Sequence, residues 1–309
     1  MRRQHWDEFW KQGFITTFGD SLRNNYQGQV REFWEKVFST ANPNSRVLDV
    51  ATGNGALACI AAAISKQHHL SLEILAADAA EIPASIDAPK EIMELRESIQ
   101  FFSNMPCESL AFPADHFNLI TSQYGIEYGR WDQSIPEVFR TLSQKGVADF
   151  LCHRDRAIVV KKSVAEITIY RSALQKYRIF DAAERFTQAY GKTGSSNPQE
   201  AKALNKDIND FKEAHQGQQL CHVLVSDIAG QLKRLRTVDT TQVVAALRER
   251  KSEYSAAMAR LEDMADAALS DSDIESIVNL ATRSGFKDVT TRDIYQSGEL
   301  IGVHIHLVK

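Results

Sequence analysis

"VLDVATGNGALA", residues 47–58, decides the fold. Val47, Leu48 and Val50 make a short apolar run, which reads as a buried strand. Gly53 and Gly55 follow at once, and then "ALACIAAAISKQ" has the alanine-rich character of a helix packed on a sheet. Glycine admits backbone dihedrals closed to other residues and lets a ligand approach without meeting a Cβ. Strand, glycine turn and helix in this order form the nucleotide-binding turn of an open α/β sheet, with the ligand beyond the carboxyl ends of the strands. The acid narrows the ligand. A phosphate site would continue to a third glycine or to Lys-Ser/Thr. Here Asp49 stands four residues ahead of the first glycine, and a carboxylate suits a cationic end such as an amino-acid ammonium group. That argues against ATP and, more weakly, against NAD.

Outward from this turn, "LSLEILAAD", "IQFFS", "FNLITSQ" and "VADFLCH" read as further strands separated by helical segments, up to about residue 154. Strands alternating with helices imply right-handed crossovers and a parallel sheet covered on both faces. Residues 155–283 break that rhythm and read almost wholly as helix, interrupted by the breaker "GKTGSSNP" at 191–198. Residues 284–309 return to strands, "FKDVTTRDIYQ" and "LIGVHIHLVK", joined at Ser297-Gly298 as a hairpin. Residues 1–40 read as an aromatic-rich helical segment containing Trp6, Trp10, Tyr26 and Trp34.

The formal net charge of −4 over 309 residues leaves no electrostatic footprint for nucleic acid. No apolar run approaches the roughly 20 residues that span a bilayer, and none follows Arg2-Arg3 as a signal peptide would require. Cys59, Cys107, Cys152 and Cys221 lack CxxC spacing and read as reduced thiols. A cytoplasmic protein is the expectation.

The 47–58 stretch resembles the first motif of class I S-adenosylmethionine-dependent methyltransferases, and the likeness continues in order. "EILAADAAEI" resembles the second motif, and "NMPCESLAFPADHFNLITSQYGIEY" the adenine loop and fourth strand, with Pro106 and Asn118 where the family carries aspartates. The resemblance covers 45–153 and 284–309. It implies a Rossmann-like, seven-stranded, mostly parallel sheet with an antiparallel seventh strand. The domains would be a lid segment at 1–40, a cofactor-binding core at 41–154, a helical insertion between strands five and six at 155–283, and completing strands at 284–309. It also implies S-adenosylmethionine as cofactor and S-adenosylhomocysteine as product. The methionine end would lie at Asp49, Ala51, Thr52, Gly53 and Gly55, the ribose at Asp78 and Ala79, and the adenine at the 104–108 loop through Asn104, Cys107 and Glu108. Residues past strand four, from Gln123 to Tyr128, would face the methyl group, and Tyr26 the cofactor carboxylate.

Methyl transfer from a sulfonium is an in-line displacement, so a general base is needed only where the acceptor must lose a proton. Glu127 and His153 are the catalytic candidates. Bland readings stand beside them: a salt bridge for Glu127, a loop-backbone bond for His153, an N-cap for Asp78 and a solvated loop carboxylate for Glu108. The N-terminal rings either line the pocket or staple helices to the sheet. His304 and His306 alternate on one strand face, but no third ligand is evident; they read as edge-strand residues, and no metal is expected. The insertion would cap the site or form a homodimer. The acceptor is expected to be a small molecule. The alternatives are a protein acceptor or a non-catalytic protein that binds the cofactor or its product.

Overall fold

Alternating apolar residues build seven strands: β1 (Arg46–Val50), β2 (Glu73–Ala77), β3 (Gln100–Phe102), β4 (Phe117–Gln123), β5 (Leu142–Cys152), β6 (Asp288–Gln296) and β7 (Glu299–Val308). The structure is a computed structural model that describes residues 4–17, 22–195 and 197–309; parts of the expected lid segment and of the 191–198 breaker therefore lie outside the described residues. The strands form one mixed sheet in the order β3-β2-β1-β4-β5-β7-β6, parallel from β3 through β5, with β7 antiparallel to both of its neighbours. Ser297 and Gly298 join β6 to β7 with φ of 52° and 83°, the left-handed pair that a two-residue hairpin turn needs. β5 starts at Leu142, five residues earlier than the apolar pattern places it, because helix and strand meet without a loop.

Helices cover both faces. In chain order they are α1 (Gln4–Trp10), α2 (Gly28–Ser39), α3 (Ala56–Gln67), α4 (Lys90–Glu97), α5 (Trp131–Thr141), α6 (Ile158–Arg171), α7 (Ile179–Thr193), α8 (Pro198–Ala214), α9 (Gln219–Lys233), α10 (Thr240–Ala267) and α11 (Asp271–Ser284). Successive strand residues point to opposite faces. Leu48, Val50, Ile120 and Phe150 pack with Ile135 and Val138 of α5 and with Ile277 and Ala281 of α11. Val47, Leu119 and Leu151 pack with Val30, Trp34 and Phe38 of α2 and with Leu57 and Ile60 of α3.

Two compact units emerge, Met1–Val160 with Asp266–Lys309, and Lys161–Ala265. α11 thus belongs with the sheet, which corrects the expected boundary at 283; its apolar stripe is buried against α5 and β7 residues. The second unit is helical throughout and has its own core, including Phe180, Ala183, Phe211, Leu224, Val243 and Leu247. Its long expected helix is interrupted by a π turn at Ser172–Lys176 and by Arg178 at φ 48°.

β7 lies inside the sheet between β5 and β6, so His304 and His306 are not edge-strand residues, and a third polar group does face them: both rings bond Asp149 of β5. Just past β5, Arg154 is fully buried and ties Asp155, Asp271, Asp293 and the Leu269 carbonyl together. Its carboxylate partners reach solvent, so they can rehydrate when the guanidinium is removed. Arg154→Ala is expected to cost about 3 kcal/mol, at the lower end for a broken buried pair, read as a lowered urea midpoint with an unchanged slope.

Candidate active site at the carboxyl edge of the sheet

The chain leaves β1 toward β2 and β3 on one side and returns to β4 and β5 on the other, so strand order reverses between β1 and β4. Ligands of open α/β sheets bind outside the carboxyl ends at such a point. The sequence-predicted residues converge there. Ala51 and Gly53 take φ of 52° and 55°, and Gly55 at 88° is the N-cap of α3. The turn is braced by carboxylates: Asp78 accepts the Gly53 N–H at 2.7 Å and the Ala80 N–H at 2.8 Å. It is therefore a turn-bracing group and not a helix N-cap, since α4 begins only at Lys90. Ala79 is half-buried beside it.

Asp49, at 1% exposure, accepts the Thr52 hydroxyl at 2.5 Å and the Thr121 hydroxyl at 3.3 Å. Burial, opposed by these hydroxyls and reinforced by the Asp78 charge, raises its carboxyl to about 7. Gln123, at the end of β4, accepts the Trp34 indole N–H, while its own Nε2 is buried without a hydrogen-bond partner among the described residues. The buried Tyr26 hydroxyl faces the Gln123 carboxamide, with Asp49 and Glu127 in electrostatic range; burial raises its phenol. Tyr26 and Trp34 thus both lie beside Gln123 and pack in the core with α2, where the sequence had left pocket and staple as alternatives.

Close backbone approach holds the β1 and β4 ends together. Ser122 donates to the Val50 carbonyl and accepts the Ile126 N–H. A Cβ on Gly125 would stand 2.6 Å from the Ala51 Cβ and 2.8 Å from its oxygen. Glu127, in the short helix Ile126–Tyr128 after β4, accepts both the backbone N–H and the Nδ1 of His153 on one oxygen, each at 2.8 Å. Its partner is thus His153. Tyr124 tilts over the His153 ring at a centroid distance of 4.4 Å, and Tyr128 meets it edge-on at 6.0 Å.

The 104–108 loop behaves differently. Asn104 is exposed at φ 56°, and the N–H groups of Asn104 and Met105 bond the Ala80 and Asp78 carbonyls. Cys107 is buried with its thiol against Ser134 and Glu108, and burial pushes it up to about 12. Glu108 is not simply solvated: it accepts the Arg130 N–H at 2.9 Å and so caps α5. Asn118, where the resembled family carries aspartate, accepts the Arg46 N–H at 2.9 Å and keeps the β1–β4 edge closed.

Two groups, Arg96 and Asn54, were not singled out in the sequence. The buried Arg96 guanidinium donates to the Asn54 and Pro83 carbonyls and lies over Phe101. Asn54 donates to the carbonyls of Trp10 and Phe14, at 3.0 and 2.8 Å. Trp10 then sits so close that a Cβ on Gly53 would fall 2.4 Å from its ring. Lone arginines and asparagines carry no periodic signal; only the crowding of glycines at 53 and 55 could have pointed to close neighbours.

No protein-family model and no curated protein matches the chain. Solved structures do resemble it. One is a SAM-dependent methyltransferase of Thermotoga maritima, with 9% identity over 90% of this chain and 89% of that one and a TM-score of 0.43. Another is the YcgJ protein of Bacillus subtilis, with 15% identity over 90% and 97% and a TM-score of 0.35. A methyltransferase of the same cofactor class from Mesorhizobium loti aligns over 42% of this chain and 57% of that one, with 17% identity and a TM-score of 0.31. At such identities and TM-scores these likenesses say nothing of the reaction here.

The raised Asp49 carboxyl has a stability consequence. Between an ordinary carboxylate value near 4 and about 7, the folded protein keeps a proton that the unfolded chain has released. Stability is therefore lost as pH rises through that window, by at most about 1.4 kcal/mol per pH unit from this group. Asp49→Asn cannot ionise. Its urea-unfolding stability relative to wild type should rise from pH 5 to about pH 7 and level off above it, and a difference independent of pH would show that Asp49 titrates normally.

Proposed function

We propose that the chain is an S-adenosylmethionine-dependent methyltransferase. The observation that carries the reading is the pairing, at the β1/β4 switch point, of a buried carboxylate and a buried carboxamide donor, neither of which has a cation or acceptor beside it among the described residues. An amino-acid end of a ligand answers both at once. Its ammonium group compensates Asp49, and its carboxylate accepts from Gln123 Nε2 and the Tyr26 hydroxyl. Phosphate would meet Asp49 and Asp78 as like charges, which disfavours a nucleotide anion at the turn.

The residues present fit the cofactor. Asp49, Ala51, Thr52, Gly53, Gly55, Tyr26 and Gln123 would hold its methionine end, Asp78 and Ala79 its ribose, and the loop at Asn104, Cys107 and Glu108 its adenine. When bound, it supplies a methyl group on a sulfonium, open to in-line attack. The protein's own contribution is orientation, exclusion of water and one proton acceptor. Because the Glu127 carboxylate accepts, His153 Nδ1 carries the proton, which leaves Nε2 as the basic nitrogen. Glu127 also steadies the imidazolium that forms when Nε2 takes a proton from a hydroxyl or amine acceptor. The acidic net charge disfavours nucleic acid as the acceptor, which leaves a small molecule, with a protein acceptor as the alternative.

Calorimetric titration of S-adenosylmethionine and S-adenosylhomocysteine tests the reading. Wild type should bind both with affinity on the order of micromolar, and Asp49→Ala should lose at least about a hundredfold, as expected when a buried ionic contact is removed. His153→Ala should retain binding. No heat from either ligand with the folded wild type would end the methyltransferase reading.

A further inference from the structure

A second polar centre lies on the same sheet, away from the glycine turn. His304 and His306 project from one face of β7, two residues apart, as strand alternation requires. Asp149 on β5 stands directly opposite His306 in the antiparallel ladder. His304 Nε2 lies 2.7 Å and His306 Nδ1 2.8 Å from the same Asp149 oxygen, and the three ligand-type atoms fall within 4.8 Å of one another. Asp149 and His304 are buried, while the His306 side chain is 31% exposed, so one side of the cluster opens to water.

We propose that Asp149, His304 and His306 form a site for a zinc-class divalent cation, bound through the Asp149 carboxylate, His304 Nε2 and His306 Nδ1, with water completing the shell. Two imidazoles and one carboxylate select a borderline ion such as Zn²⁺ or Co²⁺ over Mg²⁺ or Ca²⁺, which prefer oxygen alone. The ligands stand on paired strands, so their backbone positions are set before an ion arrives. The half-exposed His306 gives the ion a path that the buried pair alone would not.

The neighbours define the competition. Arg292 on β6, cross-strand from His304, donates its Nε–H to His304 Nδ1 at 3.3 Å. That bond places the imidazole proton on Nε2, toward Asp149, which is the ion-free arrangement. Ion binding moves the proton to Nδ1 and turns the exposed Arg292 side chain out to water. The Asp149 hydrogen bond, with the exposed Asp288 on β6, favours a protonated His306, while burial and Arg292 oppose it. The ring of Phe33 on α2 closes the remaining side against His304 at 4.9 Å. Protons therefore compete with the ion, and binding weakens as pH falls. An ion here would join β5 to β7 beneath α2, the helix that brings Trp34 to Gln123. The site stands independently of the methyl-transfer reading.

The test is titration of the chelator-stripped full chain with Zn²⁺ by calorimetry and with Co²⁺ by visible absorption. One equivalent should bind with affinity on the order of micromolar or tighter, with cobalt d–d bands and a raised melting temperature, and binding should weaken from pH 8 to pH 6. His306→Ala and Asp149→Asn should each weaken binding about tenfold or more. His69→Ala, at an exposed histidine elsewhere, should leave it unchanged, and Arg292→Ala should tighten it severalfold. Absence of d–d bands with wild type would overturn the proposal, and that readout needs no variant to fold. Weaker binding in Arg292→Ala, or binding indifferent to His306→Ala in a protein whose circular dichroism is unchanged, would also overturn it.

Discussion

Everything at the carboxyl edge depends on how two acids hold a backbone turn in the left-handed region. Asp78, just past β2, accepts the Gly53 N–H, and Asp49, in β1, accepts the Thr52 hydroxyl. Positive φ at Ala51, where a side chain disfavours it, persists because these bonds and the contact with Gly125 over-determine the backbone. The acids carry a cost of their own: burial raises both carboxyls, and among the described residues neither has a cation to offset desolvation. The positive charge and hydrogen-bond donors of the proposed ligand would offset that cost.

The α2 face of the sheet extends that theme. Asp49, Thr121, Asp149 and His306 occupy one continuous cross-strand row, from β1 through β4 and β5 to β7. One residue pair further along, Gln123, Leu151 and His304 form the next row on the same face. Trp34 and the adjacent Phe33 of α2 reach Gln123 and His304 respectively. Buried polar groups on a sheet face otherwise filled by Val47, Leu119 and Leu151 are costly unless each finds a partner. Here most are satisfied by one another, and Gln123 Nε2 is an exception among the described residues of this face.

Much of this was legible in the chain. The apolar runs, the glycine turn and the Ser297-Gly298 hairpin located the strands, because strand alternation and turn chemistry are local properties. Asp49, Asp78, Gln123, Glu127 and His153 could be picked out as candidates, since the ends of strands are where an open sheet places its chemistry. Their partners could not. Glu127 and His153 are 26 residues apart, and Asp149 and His304 are 155 apart, and nothing periodic links them. His304 and His306 were misread as edge residues because the order in which strands join a sheet is not written in any one strand.

What the sequence determined by itself was therefore the kind of element at each place, the carboxyl-edge turn, and the acid that argues for a cationic ligand end. These follow from backbone propensity and side-chain period, which act within a few residues. Only the tertiary structure decided which polar groups meet: Glu108 as the cap of α5, Trp10 over Gly53, Arg96 on Asn54, and α11 with the sheet. Such pairings are selected by burial, because a polar group taken out of water must be satisfied by whichever donor or acceptor the packed elements bring within reach.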